Sequence, residues 1–341
     1  MKALEIAGTK IEPGKEYRLE LPMVRLYTDT TMGVPVFVRR GKKDGPIIFV
    51  SAAIHGDELN GIEIINRLIN SKSTKRLKGT LIAVPMVNVY GVLNQSRYLP
   101  DRRDLNRSFP GSKRGSLAAR MAYAFLNEIA AKADYGIDFH TGAIHRSNLP
   151  QIRANLDDPE TLALAEAFAM PVLLNANLRD GSLRQCASEM NTKILLYEAG
   201  EALRFDEFAI RAGLKGTLNV MRHLGMIAKG RSHKQTIEPF IARQSGWVRA
   251  NESGMVMHHK HLGDFVEKGD TLAVIQDPFG ELLGTITAHT AGIIIGKQNI
   301  PLVQEGEAMY HIAYFKAPDE VVENLEALQE DLLPEGIINY D

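Results

Sequence analysis

His55 and Glu58 stand three residues apart in HGDE, just past an apolar run that ends at Ala53. That spacing lets both side chains project to one side of a turn or a first helical turn, and both residue types ligate zinc. Alone, H-x-x-E is a weak signal, equally readable as an acid complementing a helix amino terminus beside a surface histidine. His140 closes another apolar run, in IDFHTG, and Asp138, two residues earlier, points to the same side of a strand, where it could orient the imidazole. The plainer reading makes His140 a strand-end histidine bonded to backbone. Two imidazoles and a carboxylate on one ion leave a coordination position open, as catalytic zinc sites do and closed structural sites do not. Zinc held in that way lowers the pKa of bound water and polarises a carbonyl.

Such chemistry needs a base that can later act as an acid. Glu198, in ILLYEAGE, ends a strongly apolar strand and can take a proton and return it to a leaving nitrogen. Glu201 is a rival nearby, and a strand-end acid paired to an arginine is the bland alternative. The loop SRYLPDRRDLNRSFPG brings Arg97, Arg102, Arg103, Asn106 and Arg107 close together, interleaved with Asp101 and Asp104. Most such runs are solvated charged loops. This one leaves the end of a buried strand near the candidate ligands, and Arg suits bidentate grip on a carboxylate or a developing oxyanion. An acidic substrate fits that loop.

These side chains require a scaffold that delivers strand ends to one place. Residues 17–40 alternate and are rich in Val, Leu, Tyr and Thr, predicting a hairpin. Beyond them, Ile47–Ala53, TLIAVPMVN, YGIDFHTG and KILLYEAG read as buried strands separated by helical stretches ending near Asn70, around 116–133, from Pro159, and over 205–226. That alternation predicts an α/β fold, a mainly parallel (mixed) sheet flanked by helices on both faces. Its carboxyl ends are where sites collect. After about Pro239 short β runs between Gly, Asp and Pro turns replace the helices. The expected divisions are 1–240 for the α/β domain with its N-terminal β segment, 241–315 for a smaller all-β domain, and 316–341 for an acidic helical tail.

The 341 residues can bury a sizeable core, and 45% hydrophobic with 24% charged residues is ordinary globular composition. With 40 basic against 41 acidic residues, a nucleic-acid or membrane-surface partner is not expected. The single Cys186 allows no internal disulfide, and nothing nearby activates it. The amino terminus lacks a signal-peptide pattern and no segment has the ~18 apolar residues of a membrane helix, so a cytoplasmic location is expected. Soluble enzymes are commonly homo-oligomers, a point on which the sequence is silent.

HGDE at 55–58, DLNRSFPG at 104–111, DFHTG at 138–142 and YEAGE at 197–201, in this order, resemble the succinylglutamate desuccinylase/aspartoacylase family, a branch of the zinc carboxypeptidase-like hydrolases. The resemblance covers residues 20–315. It implies His55, Glu58 and His140 as ligands of one Zn²⁺ per chain and Glu198 as general base/acid. It also implies Asn106 and Arg107 as the pair holding a substrate carboxylate. Arg97 matches the arginine that polarises the scissile carbonyl, although its spacing to Asn106 is longer than in aspartoacylase and Arg102 or Arg103 compete. The β-rich part resembles the family's barrel-sandwich-like C-terminal domain. Its central hairpin, DPFGE, has no lysine for a carrier modification. A residue of this part could reach the metal, with Tyr310 as a guess, while His258, His259 and His261 read as surface alternation rather than a second metal site.

The leading expectation is therefore zinc-dependent hydrolysis of the amide bond of a small N-acyl amino acid carrying a carboxylate. Alternatives are a metallocarboxypeptidase trimming small peptides and a non-catalytic zinc or metabolite binder. A panel of N-acyl amino acids against dipeptides separates the first two, and zinc binding without hydrolysis identifies the third.

Overall fold

The computed structural model describes residues 3–25, 28–176, 179–229 and 239–314. The tail expected to be helical over 316–341 lies outside them. Apart from short bridging strands, the chain begins with the expected hairpin, β1 (Glu16–Arg25) antiparallel to β2 (Thr31–Arg40). There follow β3 (Ile47–Ala52), α1 (Asn60–Asn70), β4 (Thr80–Val84), α2 (Leu117–Glu128), β5 (Tyr135–Gly142) and β6 (Arg146–Ala154). Next come α3 (Pro159–Phe168), β7 (Val172–Asn175), α4 (Leu183–Glu189), β8 (Lys193–Glu201) and α5 (Glu207–His223). Pro159 occupies the first turn of α3, where its missing N–H costs nothing, and Asp158 caps that helix.

β4, β3, β5 and β8 lie side by side and parallel, the arrangement predicted for this part of the chain. Around that centre the pairing turns antiparallel, with β2 and β1 on one flank and β6 on the other. Side chains alternate across the sheet, so each strand supplies two cores. Ile48 and Val50 face the helices α1, α3 and α5, whereas Phe49 between them faces Phe125 of α2. All are fully buried, and each such large apolar side chain contributes on the order of 1.5–3 kcal/mol.

Over the described residues 239–314 the chain has strands and no helix. It comprises β9 (Phe240–Ala242), β10 (Gln244–Arg249), β11 (Gly254–His258), β12 (Thr271–Gln276), β13 (Leu282–Thr287), β14 (Gly292–Gln298) and β15 (Ala308–Tyr314). Its core gathers Val256, Leu272, Ile275, Ile294 and Tyr310. This region does not hang from a linker. β14 pairs antiparallel with β6, joining β15 and β10 to the large sheet, and β9 pairs with β7. Leu149, Leu174, Ala242, Ile293 and Ile295 seal the junction in an apolar cluster of their own. Among the described residues no helix is long and apolar enough to cross a membrane.

Candidate metal centre and active site

Four segments meet at the carboxyl ends of the parallel strands. His55 and Glu58 lie in the turn between β3 and α1, and Glu58 N donates to His55 O at 3.1 Å. Gly56 is required there, because a Cβ would sit 2.0 Å from the carbonyl carbon of Gly91. His140 is near the end of β5. Glu198 is in register with it on β8, so the two side chains rise from the same face of neighbouring strands. Past Glu198 the strand bulges, with Gly200 at φ +74°, and the buried amide of Asn60 locks the bulge by donating to Ala199 O (3.1 Å) and accepting from Asp206 N (2.9 Å).

Glu58 stands between the two imidazoles. Its Oε1 is 2.7 Å from His55 Nδ1 and its Oε2 is 2.8 Å from His140 Nδ1, while Thr141 N donates to Oε2 at 3.2 Å. One donor atom from each of the three residues lies within 4.8 Å of the others, and all three residues are buried. The far ring nitrogens are backed by acids. His140 Nε2 is 2.8 Å from Asp138 Oδ2, and Ser51 Oγ donates to Asp138 Oδ1 at 2.7 Å. His55 Nε2 is 3.2 Å from Asp104 Oδ1. Carboxylates only accept, so protons on the Nε2 atoms answer Asp138 and Asp104, and a bound ion would take the place of the Nδ1 protons that otherwise face Glu58. Burial pushes the Glu58 carboxyl up, but His55 and His140 outweigh it and hold the group far below the usual carboxylate range. Buried nitrogen and carboxylate donors converging in this way suit a divalent ion, so this trio is a candidate three-residue metal site.

The arginine-rich loop wraps over this cluster. Asp104 caps the short turn Leu105–Arg107 and accepts from Arg97 Nη2 at 2.9 Å, fixing a guanidinium whose Nη1 lies 3.3 Å from Glu58 Oε1. Arg102 and Arg103 are exposed and do not line the cavity. Buried Asn106 accepts from Leu183 N at the start of α4 (2.9 Å), leaving its NH2 as the group it can offer the cavity. Arg107 also lines the cavity from an exposed position, and partial desolvation, with Arg179 and Arg97 adding to it against Asp104, lowers its pKa.

Together these residues form one end of a cavity of about 620 Å³. Glu198 lines it, with Oε2 held by Asn148 Nδ2 at 2.5 Å and Arg153 Nη2 at 3.4 Å, so the acid does pair with an arginine while facing the cavity. Glu201 is engaged elsewhere, accepting from His145 N (3.1 Å) and Asn299 Nδ2 (2.8 Å). Tyr310 does not reach the site. It is buried in the C-terminal β core, where its hydroxyl donates to Leu272 O at 2.9 Å and lies 2.5 Å from His258 Nδ1. The neighbouring position, His311, lines the cavity instead, since one step along a strand reverses the face. His311 stacks on Trp247 (centroids 4.5 Å apart, planes at 8°), and Arg146 lies 5.3 Å over the same indole. Arg146, Asn148, Arg153, Trp247 and His311 had no counterpart among the motif residues. Polar residues at both ends of RSNLPQIRA, directly after DFHTG, were the one available signal.

The profile of the succinylglutamate desuccinylase/aspartoacylase catalytic domain matches residues 44–224. N-alpha-acetyl-L-2,4-diaminobutyric acid deacetylase of Halomonas elongata is 27% identical over 305 residues, 86% of this chain and 87% of that protein. A product-bound structure of the ectoine utilization protein EutE (DoeB) from Ruegeria pomeroyi superposes with a TM-score of 0.80 at 25% identity, covering 89% of this chain and 97% of that one. The crystal structure of a succinylglutamate desuccinylase/aspartoacylase from Rhodobacter sphaeroides gives 0.76 at 26% identity, covering 88% and 96%.

Proposed function

The chain belongs to the succinylglutamate desuccinylase/aspartoacylase family, and on that premise we propose that it is a cytoplasmic, zinc-dependent amidohydrolase that removes the acyl group from a small N-acyl amino acid. The observation that carries this reading is the His55–Glu58–His140 cluster, its imidazoles backed by Asp104 and Asp138, with Glu198 one strand away in register. His55, Glu58 and His140 would hold one Zn²⁺. When bound, the ion would lower the pKa of a water and polarise the scissile carbonyl. Glu198 takes a proton from the attacking water and delivers it to the departing amine nitrogen. Asn148 and Arg153 hold its Oε2, which aims the carboxylate. Arg97, tied to Asp104, presents its guanidinium beside the cluster, where negative charge develops on the carbonyl oxygen. The NH2 of Asn106 and the guanidinium of Arg107 hold the substrate carboxylate. Acetyl is the acyl group that the name of the Halomonas relative supports.

Peptide trimming is the second reading, and the wall of Trp247 and His311 argues for small substrates over peptides. Glu198→Gln should keep one zinc per chain while lowering turnover of N-acetyl amino acids at least ~100-fold. Retained turnover rejects the assignment. Faster cleavage of dipeptides than of N-acetyl amino acids by the wild type favours the peptidase.

A further inference from the structure

Charge is unevenly divided along the chain. Of its 40 basic and 41 acidic residues, the segment after Tyr314 holds only Lys316 against eight acids, leaving residues 1–314 with 39 basic and 33 acidic. A block of acids attached to a basic body reads as an interaction segment. Within it Val321, Leu325, Leu328 and Leu332 recur at helical spacing, so an apolar stripe accompanies the charge.

The described chain ends beside the candidate active site. Tyr314 pairs with Gln244 on β10, and Arg243, Gln244 and Ser245 line the cavity. β9, just before them, lies parallel to β7, which Arg179 follows. Seven arginines line the cavity against the carboxylates of Glu58, Asp138 and Glu198, which imidazoles, Asn148 and Arg153 already hold. A cleft of one sign focuses its field at the opening. Arg179 and Arg243 stand exposed there, and the pair of Arg243 with Asp157, 3.2 Å long with side chains 71 and 66% exposed, is open to exchange. Ile144 and Ile241, each two residues before a lining arginine, are exposed as well. Asp319 follows Tyr314 by five residues, a reach of roughly 15 Å at full extension, whereas neighbouring strands lie about 4.8 Å apart. The other open apolar face, with Met257, Leu282 and Leu302, is flanked by exposed Glu252, Glu281 and Glu305, like charges for such a segment.

Resting on the amidohydrolase reading above, we propose that the acidic segment 319–335 docks in cis across the mouth of the cavity, on Arg179 and Arg243, and that an anionic substrate displaces it to enter. Tethering gives the segment a local concentration on the order of millimolar, so weak exposed ion pairs suffice to hold it. The open fraction then rises with ionic strength and with substrate concentration.

The test reads contact without turnover. In the zinc-loaded chain of 341 residues, Asn324 is exchanged for the photo-crosslinker p-benzoyl-L-phenylalanine. Peptides are mapped after irradiation at about 20 mM and about 500 mM salt, where the Debye length is roughly 20 and 4 Å. At low salt, cross-links within one chain should fall on peptides containing Arg179 or Gln244, and they should drop at least several-fold at high salt. Arg243→Glu should reduce them similarly, and adding Glu320→Arg with Glu323→Arg should restore them. Glu320→Gln, Glu323→Gln, Glu326→Gln and Glu330→Gln together should lower KM for N-acetyl amino acids roughly 3- to 10-fold at low salt with kcat unchanged, a difference lost at high salt. Cross-links confined to other surfaces, cross-links only between two copies, or cross-links indifferent to salt overturn the proposal. Cross-links in cis in a protein that hydrolyses no N-acyl amino acid support the docking and overturn the reaction. Hydrolysis without them overturns the docking alone.

Discussion

Replacing Asp138 tests whether the acid behind His140 sets the metal affinity of the cluster. Its Oδ2 is 2.8 Å from His140 Nε2, its Oδ1 accepts from Ser51 Oγ at 2.7 Å, and all three residues are buried. Asn has the same shape and can still accept from Nε2 while its NH2 faces the serine oxygen, so Asp138→Asn removes chiefly the charge. Ala removes the acceptor altogether. A hydrogen bond to a charged group contributes about 1.5–3 kcal/mol, and about 1.4 kcal/mol is a decade in affinity. Zinc affinity should therefore fall about tenfold in the Asn variant and up to about 100-fold in the Ala variant. Competition against a chromophoric chelator measures this, with urea denaturation of the metal-free proteins separating lost affinity from lost fold. Ser51→Ala, which spares the carboxylate, should cost only a few-fold. Affinities of both Asp138 variants within about two-fold of wild type would refute the reasoning, because the outer partner of a true ligand cannot be that inconsequential.

Gly56→Ala should destabilise the protein by about 1–3 kcal/mol in urea denaturation and lower zinc stoichiometry, since the new Cβ meets the Gly91 backbone at 2.0 Å; wild-type values for both would contradict that contact. Asn60→Ala strips the partners of Ala199 O and Asp206 N, costing about 1–3 kcal/mol, and should lower kcat more than it changes KM because the freed bulge no longer aims Glu198. His311 is held at about 3 by burial and then by Arg153, below the ordinary 6.5. The unfolded chain thus takes up this proton first, and stability falls by up to ~1.4 kcal/mol per pH unit as pH drops below the unfolded value, until the folded pKa is reached. His311→Phe, which preserves the stack on Trp247, should flatten that slope, and an identical acid profile in the variant would exclude His311 as its source.

The parallel strands were legible because burial on both faces writes itself as continuous apolar runs, and the chemistry-bearing residues sit where those runs stop. β6 was not legible. RSNLPQIRA carries a proline and polar residues because one of its faces borders the cavity, where Asn148 and Arg153 meet Glu198, so the strand has no periodic apolar signal. Asp104 stood out only as one charge among several; its simultaneous hold on Arg97, His55 and the turn at Asn106 exists only once the loop folds back over β3. In the β-rich part the sequence shows alternation but not which alternating set meets a foreign surface. That is why the sequence suggests Tyr310 equally well, although Tyr310 is in the β core and its neighbour His311 lines the cavity.

The hydrogen-bonded seam between β6 and β14 has a bearing on how such enzymes can be recombined. Residues 146–148 and 296–298 are stitched backbone to backbone, and Arg146 on one side of the seam lies over Trp247 on the other. Removing everything after residue 240 would bare a sheet edge together with the apolar surface of Leu149 and Leu174, inviting aggregation instead of yielding a smaller hydrolase. Grafting the β-rich part from a relative would have to carry over the opposing residues of β6 as well, so the lining of this cavity wall and the integrity of the sheet must drift together.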